Sequence, residues 1–76
     1  MYTIHEVMWY ERLTMKEILK YLRQIHSFTQ DQVACRLGLS RQSYIKYEKG
    51  IIVPSSKVVN QLALLYGVTE DFIRSN

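Results

Sequence analysis

The sequence is poor in the residues that staple or anchor a chain. Cys35 is the single cysteine, so no internal disulfide is available. The two histidines, His5 and His26, stand far apart, and with one cysteine they supply no zinc-binding set. No metal and no cofactor is expected. No apolar stretch approaches the ~20 residues of a membrane span, so no membrane partner is expected either. Residues 2–10 are interrupted by polar groups and include Glu6, which does not suit a signal peptide. Cytoplasmic residence is the expectation that follows. There is one proline, Pro54, and no low-complexity run. Also missing are a nucleophile–base set, a pair of acids and a glycine-rich phosphate loop, so an enzyme is not expected.

What is present suffices for one small folded domain. The chain of 76 residues has room for four or five helices and a small core, but for no enclosed active site of ordinary size. Apolar residues make up 47% of it, which is too many for a disordered composition. The net charge of +3 is modest but unevenly placed. Residues 1–28 nearly balance, with Arg12, Lys16, Lys20 and Arg23 against Glu6, Glu11 and Glu17. Residues 29–57 carry Arg36, Arg41, Lys46, Lys49 and Lys57 against Asp31 and Glu48. Residues 58–76 carry Arg74 against Glu70 and Asp71. Attraction of phosphate needs a basic face more than a basic average, and the excess falls mid-chain.

The patterning is densest there too, in QDQVACRLGLSRQSYIKYEK at residues 30–49. This stretch reads as two short helices with a tight turn between them. Thr29 is the first N-cap, and Gln32 stands where a capping box wants Glu or Gln. Val33, Ala34 and Leu37 share one helical face. At Gly38 the helix must stop in a left-handed conformation, which glycine adopts most cheaply. Leu39 plugs the corner and Ser40 caps the second helix, residues 41–49. That helix turns Tyr44, Tyr47 and Glu48 to one side and Arg41, Gln42, Lys46 and Lys49 to the other, and Gly50 closes it. These are the marks of a helix-turn-helix. Arg41 and Gln42 suit base edges, since Arg pairs bidentately with guanine and Gln with adenine. Cys35, one residue past the small core residue Ala34, is expected to be partly exposed, as a small filler or as a redox or crosslinking thiol.

The segment FTQDQVACRLGLSRQSYIKYEKG resembles the helix-turn-helix of the lambda-repressor/Cro-like proteins, the XRE family. It fills that family's pattern at Thr29, Gln30, Val33, Ala34, Leu37, Gly38, Leu39, Ser40, Tyr44, Tyr47, Glu48 and Gly50. The likeness runs on through Pro54 and QLALLYGVTEDFI, about residues 14–73. It implies an all-α, five-helix lambda-repressor-like DNA-binding domain at residues 14–76, with an extra N-terminal arm at residues 1–13. It implies that Arg23, seven residues before Gln30, pairs with Glu48 and ties the first helix to the third; the plainer reading leaves both solvated. It also implies that Gln30 anchors a phosphate at a helix N-terminus. In many similar repressors the fifth helix and the edge before it form the dimer contact.

The remaining segments can be read directly. Thr14 and Glu17 form a capping box for a first helix whose inward face is Met15, Ile18, Leu19, Leu22 and Ile25. Phe28 turns into the core. Ile45 departs from the family's polar position: either it meets a thymine methyl in the groove, or the register shifts so that Ile45 is core and Tyr44 points outward. The loop GIIVPS at residues 50–55 offers backbone N–H groups and Lys49 to a phosphate, though Ile51, Ile52 and Val53 are unusually apolar for that role. A fourth helix starts near Ser55 and buries Val58, Val59, Leu62, Ala63, Leu65 and Tyr66 up to Gly67. Thr69, Glu70 and Asp71 open a short fifth helix, and Phe72 and Ile73 close the core.

The arm fits neither a helical nor a strand period well. It carries Met8, Trp9 and Tyr10 among other large apolar residues, which a free solvated arm rarely does. Burial on the body or in a homodimer, contact with another protein, and disorder all remain open for it.

Two functions follow. The first is a sequence-specific DNA-binding transcriptional regulator, a homodimeric repressor on double-stranded DNA. There Arg41, Gln42, Ile45 and Lys46 would read bases, and Gln30, Ser43, Tyr47 and Lys49 would hold phosphates. The alternative is an antitoxin or accessory module in which the arm residues Met8, Trp9 and Tyr10 engage a toxin or other protein partner.

Overall fold

Every helix among the described residues begins behind a hydroxyl. The computed structural model describes residues 13–74, which form α1 (Met15–Ile25), α2 (Gln30–Leu37), α3 (Arg41–Lys49), α4 (Ser56–Tyr66) and α5 (Glu70–Arg74). Thr14 heads α1, where the Glu17 carboxylate accepts from the Thr14 backbone N–H at 3.0 Å and from its hydroxyl at 2.9 Å. Those bonds, the backbone one first, hold the Glu17 pKa below its ordinary value. At α2 the capping box is reciprocal: Gln32 N–H donates to Thr29 Oγ1 at 3.1 Å, and Thr29 N–H donates to Gln32 Oε1 at 2.8 Å. Ser40, Ser55 and Thr69 accept from the Ser43, Val58 and Phe72 N–H groups at the heads of α3, α4 and α5. Each cap satisfies a donor that the helix itself leaves orphaned.

Four helices also end alike. The N–H groups of Phe28, Leu39, Ile51 and Val68 reach back five residues to Arg23, Ala34, Lys46 and Ala63. This closure needs a left-handed residue just before each of those donors. Gly38, Gly50 and Gly67 supply it at three ends, and Ser27, with φ 58°, at the fourth. Ser27 is therefore the one strained terminator among the described residues, since a Cβ disfavours that region.

These stops set the packing. α2 and α3 lie on each other, α1 packs against α3 and α5, and α4 against α2 and α5. The core joins Ile18, Leu19 and Leu22 of α1, Val33, Ala34 and Leu37 of α2, Tyr44 of α3, Val58, Val59, Leu62, Ala63 and Tyr66 of α4, and Ile73 of α5. Ala34 sits where α2 meets its neighbours, and its small side chain permits the close approach. The architecture is all-α, with no strand among the described residues, as the resemblance implies.

Several local expectations change. Ile25 was expected to face inward, yet it is 55% exposed. Just beyond it the exposed His26 holds its Nδ1 2.8 Å from the Leu22 carbonyl and its ring 4.9 Å from Tyr66. Leu13, counted with the arm, is buried in the core. Ser55 caps α4 from outside, so the helix begins at Ser56. Phe28 and Phe72 are half-buried at the core's edge, Phe28 under the Arg36 guanidinium at 4.9 Å. Cys35 is exposed. Residues Met8, Trp9 and Tyr10 lie outside the described residues.

Candidate nucleic-acid interface

One side of α3 is buried and fixes the other. Tyr44 is fully buried, which excludes the register in which it points outward and Ile45 is core. Ile45 is half-buried at the rim of the helix. Tyr47 is also half-buried, its ring edge-on to Tyr44 at a centroid distance of 6.4 Å. One turn beyond Tyr44, Glu48 turns toward α1, and only 4% of its side chain is exposed.

Glu48 gathers three helices. Arg23 of α1 donates from Nε to Oε2 at 2.5 Å and from Nη2 to Oε1 at 3.2 Å. This is the two-pronged geometry that a guanidinium offers a carboxylate. Arg23 Nη1 donates onward to the Phe28 carbonyl at 3.0 Å, bracing the turn between α1 and α2. Gln30, the first residue of α2, donates from Nε2 to Glu48 Oε1 at 3.3 Å. Burial alone would raise the Glu48 pKa, but the hydrogen bonds from Arg23 and Gln30, with the Tyr44 hydroxyl close by, outweigh it and hold it below the ordinary value. The bond to Glu48 likewise raises the Arg23 pKa.

Behind this knot lie two tyrosine hydroxyls. Neither Tyr44 Oη nor Tyr66 Oη has a partner within strict hydrogen-bond geometry, yet Tyr44 and Glu48 are near enough to influence each other's ionisation. Burial, above all, pushes the Tyr44 pKa far up and that of Tyr66 up to about 12. Both phenols stay neutral through the neutral range.

The opposite side of α3 is open. Arg41, Gln42, Lys46 and Lys49 are exposed, and none of them takes part in an ion pair among the described residues. Their spacing of i, i+1, i+5 and i+8 puts them on one broad face, with Ile45 inside it. Arg41 and Gln42 occupy the first turn, just after the Ser40 cap. Ser43 lies on the flank, where its Oγ accepts from the Ser40 hydroxyl at 3.0 Å.

Beside that face runs an open cleft of about 550 Å³, lined by Lys20 and Arg23 of α1, Phe28, Thr29, Gln30 and Asp31 at the head of α2, and Arg41, Glu48 and Lys49 of α3. Its free positive groups are Lys20, Arg41 and Lys49, because Arg23 is committed to Glu48. Lys20 and Lys49 also border the next cleft along, together with Lys16. Lys20 enters the sequence only as one of the charges of residues 1–28. Its signal was the Lys16–Lys20 spacing of one turn on a helix that Arg23 anchors to α3.

Two expected phosphate groups are placed otherwise. The carboxamide of Gln30 turns to Glu48, which leaves it one further N–H. The loop after α3 was expected to present backbone donors, but the Gly50 and Ile51 N–H groups are consumed by the Tyr47 and Lys46 carbonyls. Lys49 is what the end of α3 keeps free.

This geometry has relatives. Residues 17–73 match the model of a helix-turn-helix domain family. An uncharacterized HTH-type transcriptional regulator of Methanocaldococcus jannaschii is 46% identical over 54 residues, which is 71% of this chain and 82% of that protein. A prophage-derived uncharacterized HTH-type transcriptional regulator of Bacillus subtilis is 39% identical over 57 residues, 75% of this chain and 53% of the other. A cryptic phage CTXphi transcriptional repressor of Vibrio cholerae is 36% identical over 50 residues, 66% of this chain and 45% of the other. The chain thus spans about half the length of the latter two. No solved structure matches it. With the match covering α1 to α5 and the turn between α2 and α3 in register, the chain belongs to the helix-turn-helix domain family, as an XRE-like DNA-binding protein.

Proposed function

We propose that the chain is a sequence-specific transcriptional regulator, a homodimeric repressor that lays α3 in the major groove. The observation that carries this reading is the division of α3. Its buried edge is locked by Arg23, Gln30 and Glu48, and its open edge holds Arg41, Gln42 and Lys46 without partners among the described residues. A donor-rich face on a helix that cannot rotate is what base-edge recognition needs. In this reading Arg41, Gln42 and Lys46 read base edges, and Ile45 meets a thymine methyl from the rim. Lys49 and Lys20 hold phosphates across the cleft, with the spare Gln30 N–H, Ser43 and Tyr47 on the flanks. One module offers one reading helix, so two copies on half-sites about 34 Å apart supply the affinity. The repressor named among the relatives agrees in kind with this reading.

The test is selection of bound fragments from a random duplex pool. A palindromic consensus, with half-sites about one helical turn apart, is the expected result. No enrichment over bulk DNA would refute the reading. A second reading, an accessory module that engages another protein, is favoured by one observation: Ile51 and Val53 are 64% and 76% exposed.

A further inference from the structure

Taking α3 as the DNA-reading helix proposed above, we infer that Asp31 sets the strength of duplex binding by opposing the phosphates that the neighbouring cleft attracts. Two carboxylates line that cleft, Glu48 and Asp31. Glu48 is spent on Arg23 and Gln30. What remains is three free cations, Lys20, Arg41 and Lys49, and one free anion. Asp31 is exposed, and its carboxylate has no hydrogen bond or ion pair among the described residues. It therefore stands in the cleft as an uncompensated negative charge.

Asp31 also has a structural use. It is the second residue of α2, where a negative charge complements the free N–H groups and the dipole of the helix. A matched control lies in the same chain. Asp71 is the second residue of α5, exposed and equally without a partner among the described residues, yet it lines neither basic cleft. The other described acids are tied down, Glu17 by Thr14 and Glu70 by Asn60. Asp31 and Asp71 thus share residue type, helix position and exposure, and differ in facing the cleft.

A helix N-terminus attracts phosphate when its positive end is free. At α2 that end is already met by Asp31, so a duplex phosphate entering the cleft encounters a like charge. The repulsion acts through water, which makes it modest and lets salt screen it. Every duplex carries the same backbone, so the effect is alike on all sequences. Asp31 tunes affinity, and discrimination stays with the residues that face base edges.

The test is an anisotropy titration of the selected site and of a scrambled duplex, each at low and high salt. Asp31→Asn should bind both duplexes roughly three- to tenfold more tightly in low salt, with a steeper log–log salt slope and unchanged discrimination. The gain should shrink as salt rises. Asp31→Glu, which keeps the charge, should bind as the wild type does, and Asp71→Asn should leave both affinities unchanged. Each Asn change removes one helix-start charge, so both should lower the thermal midpoint alike, which separates stability from binding. Equal tightening by Asp31→Asn and Asp71→Asn would mean that net charge alone acts, and would overturn the inference. So would a loss confined to the selected site, which would make Asp31 a support for the reading residues. A wild type that binds neither duplex in low salt defeats the DNA-binding reading itself. The inference fails alone when the wild type binds and Asp31→Asn binds no tighter.

Discussion

Replacing Glu48 with alanine tests the brace behind the reading helix. Glu48 accepts from Arg23 twice and from Gln30 once, and its side chain is 4% exposed. Its removal leaves a guanidinium that is 14% exposed with a single remaining bond, to the Phe28 carbonyl. Stripping one partner from a buried pair costs about 3–5 kcal/mol. The bond to Phe28 and the slight exposure of Arg23 offset part of that, so the expected loss is about 2–4 kcal/mol. A domain of this size is stable by roughly 4–11 kcal/mol, so the change removes a large fraction. At about 4–8 °C per kcal/mol, Tm should fall by roughly 8–32 °C in a circular-dichroism melt.

The same pair sets an acid limit. The Glu48 pKa lies below its ordinary 4.5 in the folded chain. A depressed carboxylate contributes stability that is full above the unfolded value and lost as pH falls through the folded one. Stability should therefore drop below pH 4.5 in the wild type, and less steeply in Glu48→Ala. Part of the slope should remain, because the Glu17 pKa is lowered as well. A melt changed by less than about 1 kcal/mol would mean the pair behaves as a solvated surface contact, and would refute the brace.

Three further expectations are independent of it. Ser27→Gly should stabilise by about 0.5–1 kcal/mol, because the left-handed φ of 58° costs a Cβ-bearing residue; a higher urea midpoint at constant slope would show it. Gly38→Ala and Gly50→Ala should each destabilise by about 1–2 kcal/mol through backbone strain, and by similar amounts. The added methyl at Gly50 meets only the flexible Lys16 side chain, and at Gly38 it meets nothing, so a much larger loss at Gly50 would show that Lys16 is held rigidly. Lys20→Ala should weaken all DNA sequences alike and lower the log–log salt slope by about one; an unchanged slope would remove α1 from the interface.

The helix-turn-helix was legible because its signals are local. Thr29 with Gln32, Gly38 and Ser40 are cap and stop chemistry, and each does in the fold what its position announces. The alternation of Tyr44 and Glu48 with Arg41, Gln42 and Lys46 is a period, and it marks which edge of α3 is buried. Ile25 misled because periodicity carries the apolar stripe to the last residue of α1, which is nevertheless 55% exposed. The turn at Ser27 brought His26 onto Tyr66 instead. Leu13 misled in the other direction, since a residue before an N-cap shows no period although it packs in the core. The cleft was the least legible feature. Lys20 and Lys49 are 29 positions apart, and only the crossing of α1 over α3 makes them neighbours. The fate of the Gly50 and Ile51 N–H groups was hidden for a related reason: the same closure that ends α3 consumes the donors a phosphate would need.

The most direct test of the central claim, that one edge of α3 reads bases while the cleft beside it holds phosphates, is a paired competition measurement. Arg41→Ala and Lys49→Ala would each be titrated against the selected site, its single-base variants and bulk DNA at two salt concentrations. Arg41→Ala should cost about 1–3 kcal/mol on the selected site, flatten discrimination at one base pair, and spare bulk DNA. Lys49→Ala should weaken every duplex about equally and lower the salt slope by about one, leaving discrimination intact. Equal losses from both changes on all sequences would contradict the division of roles along α3.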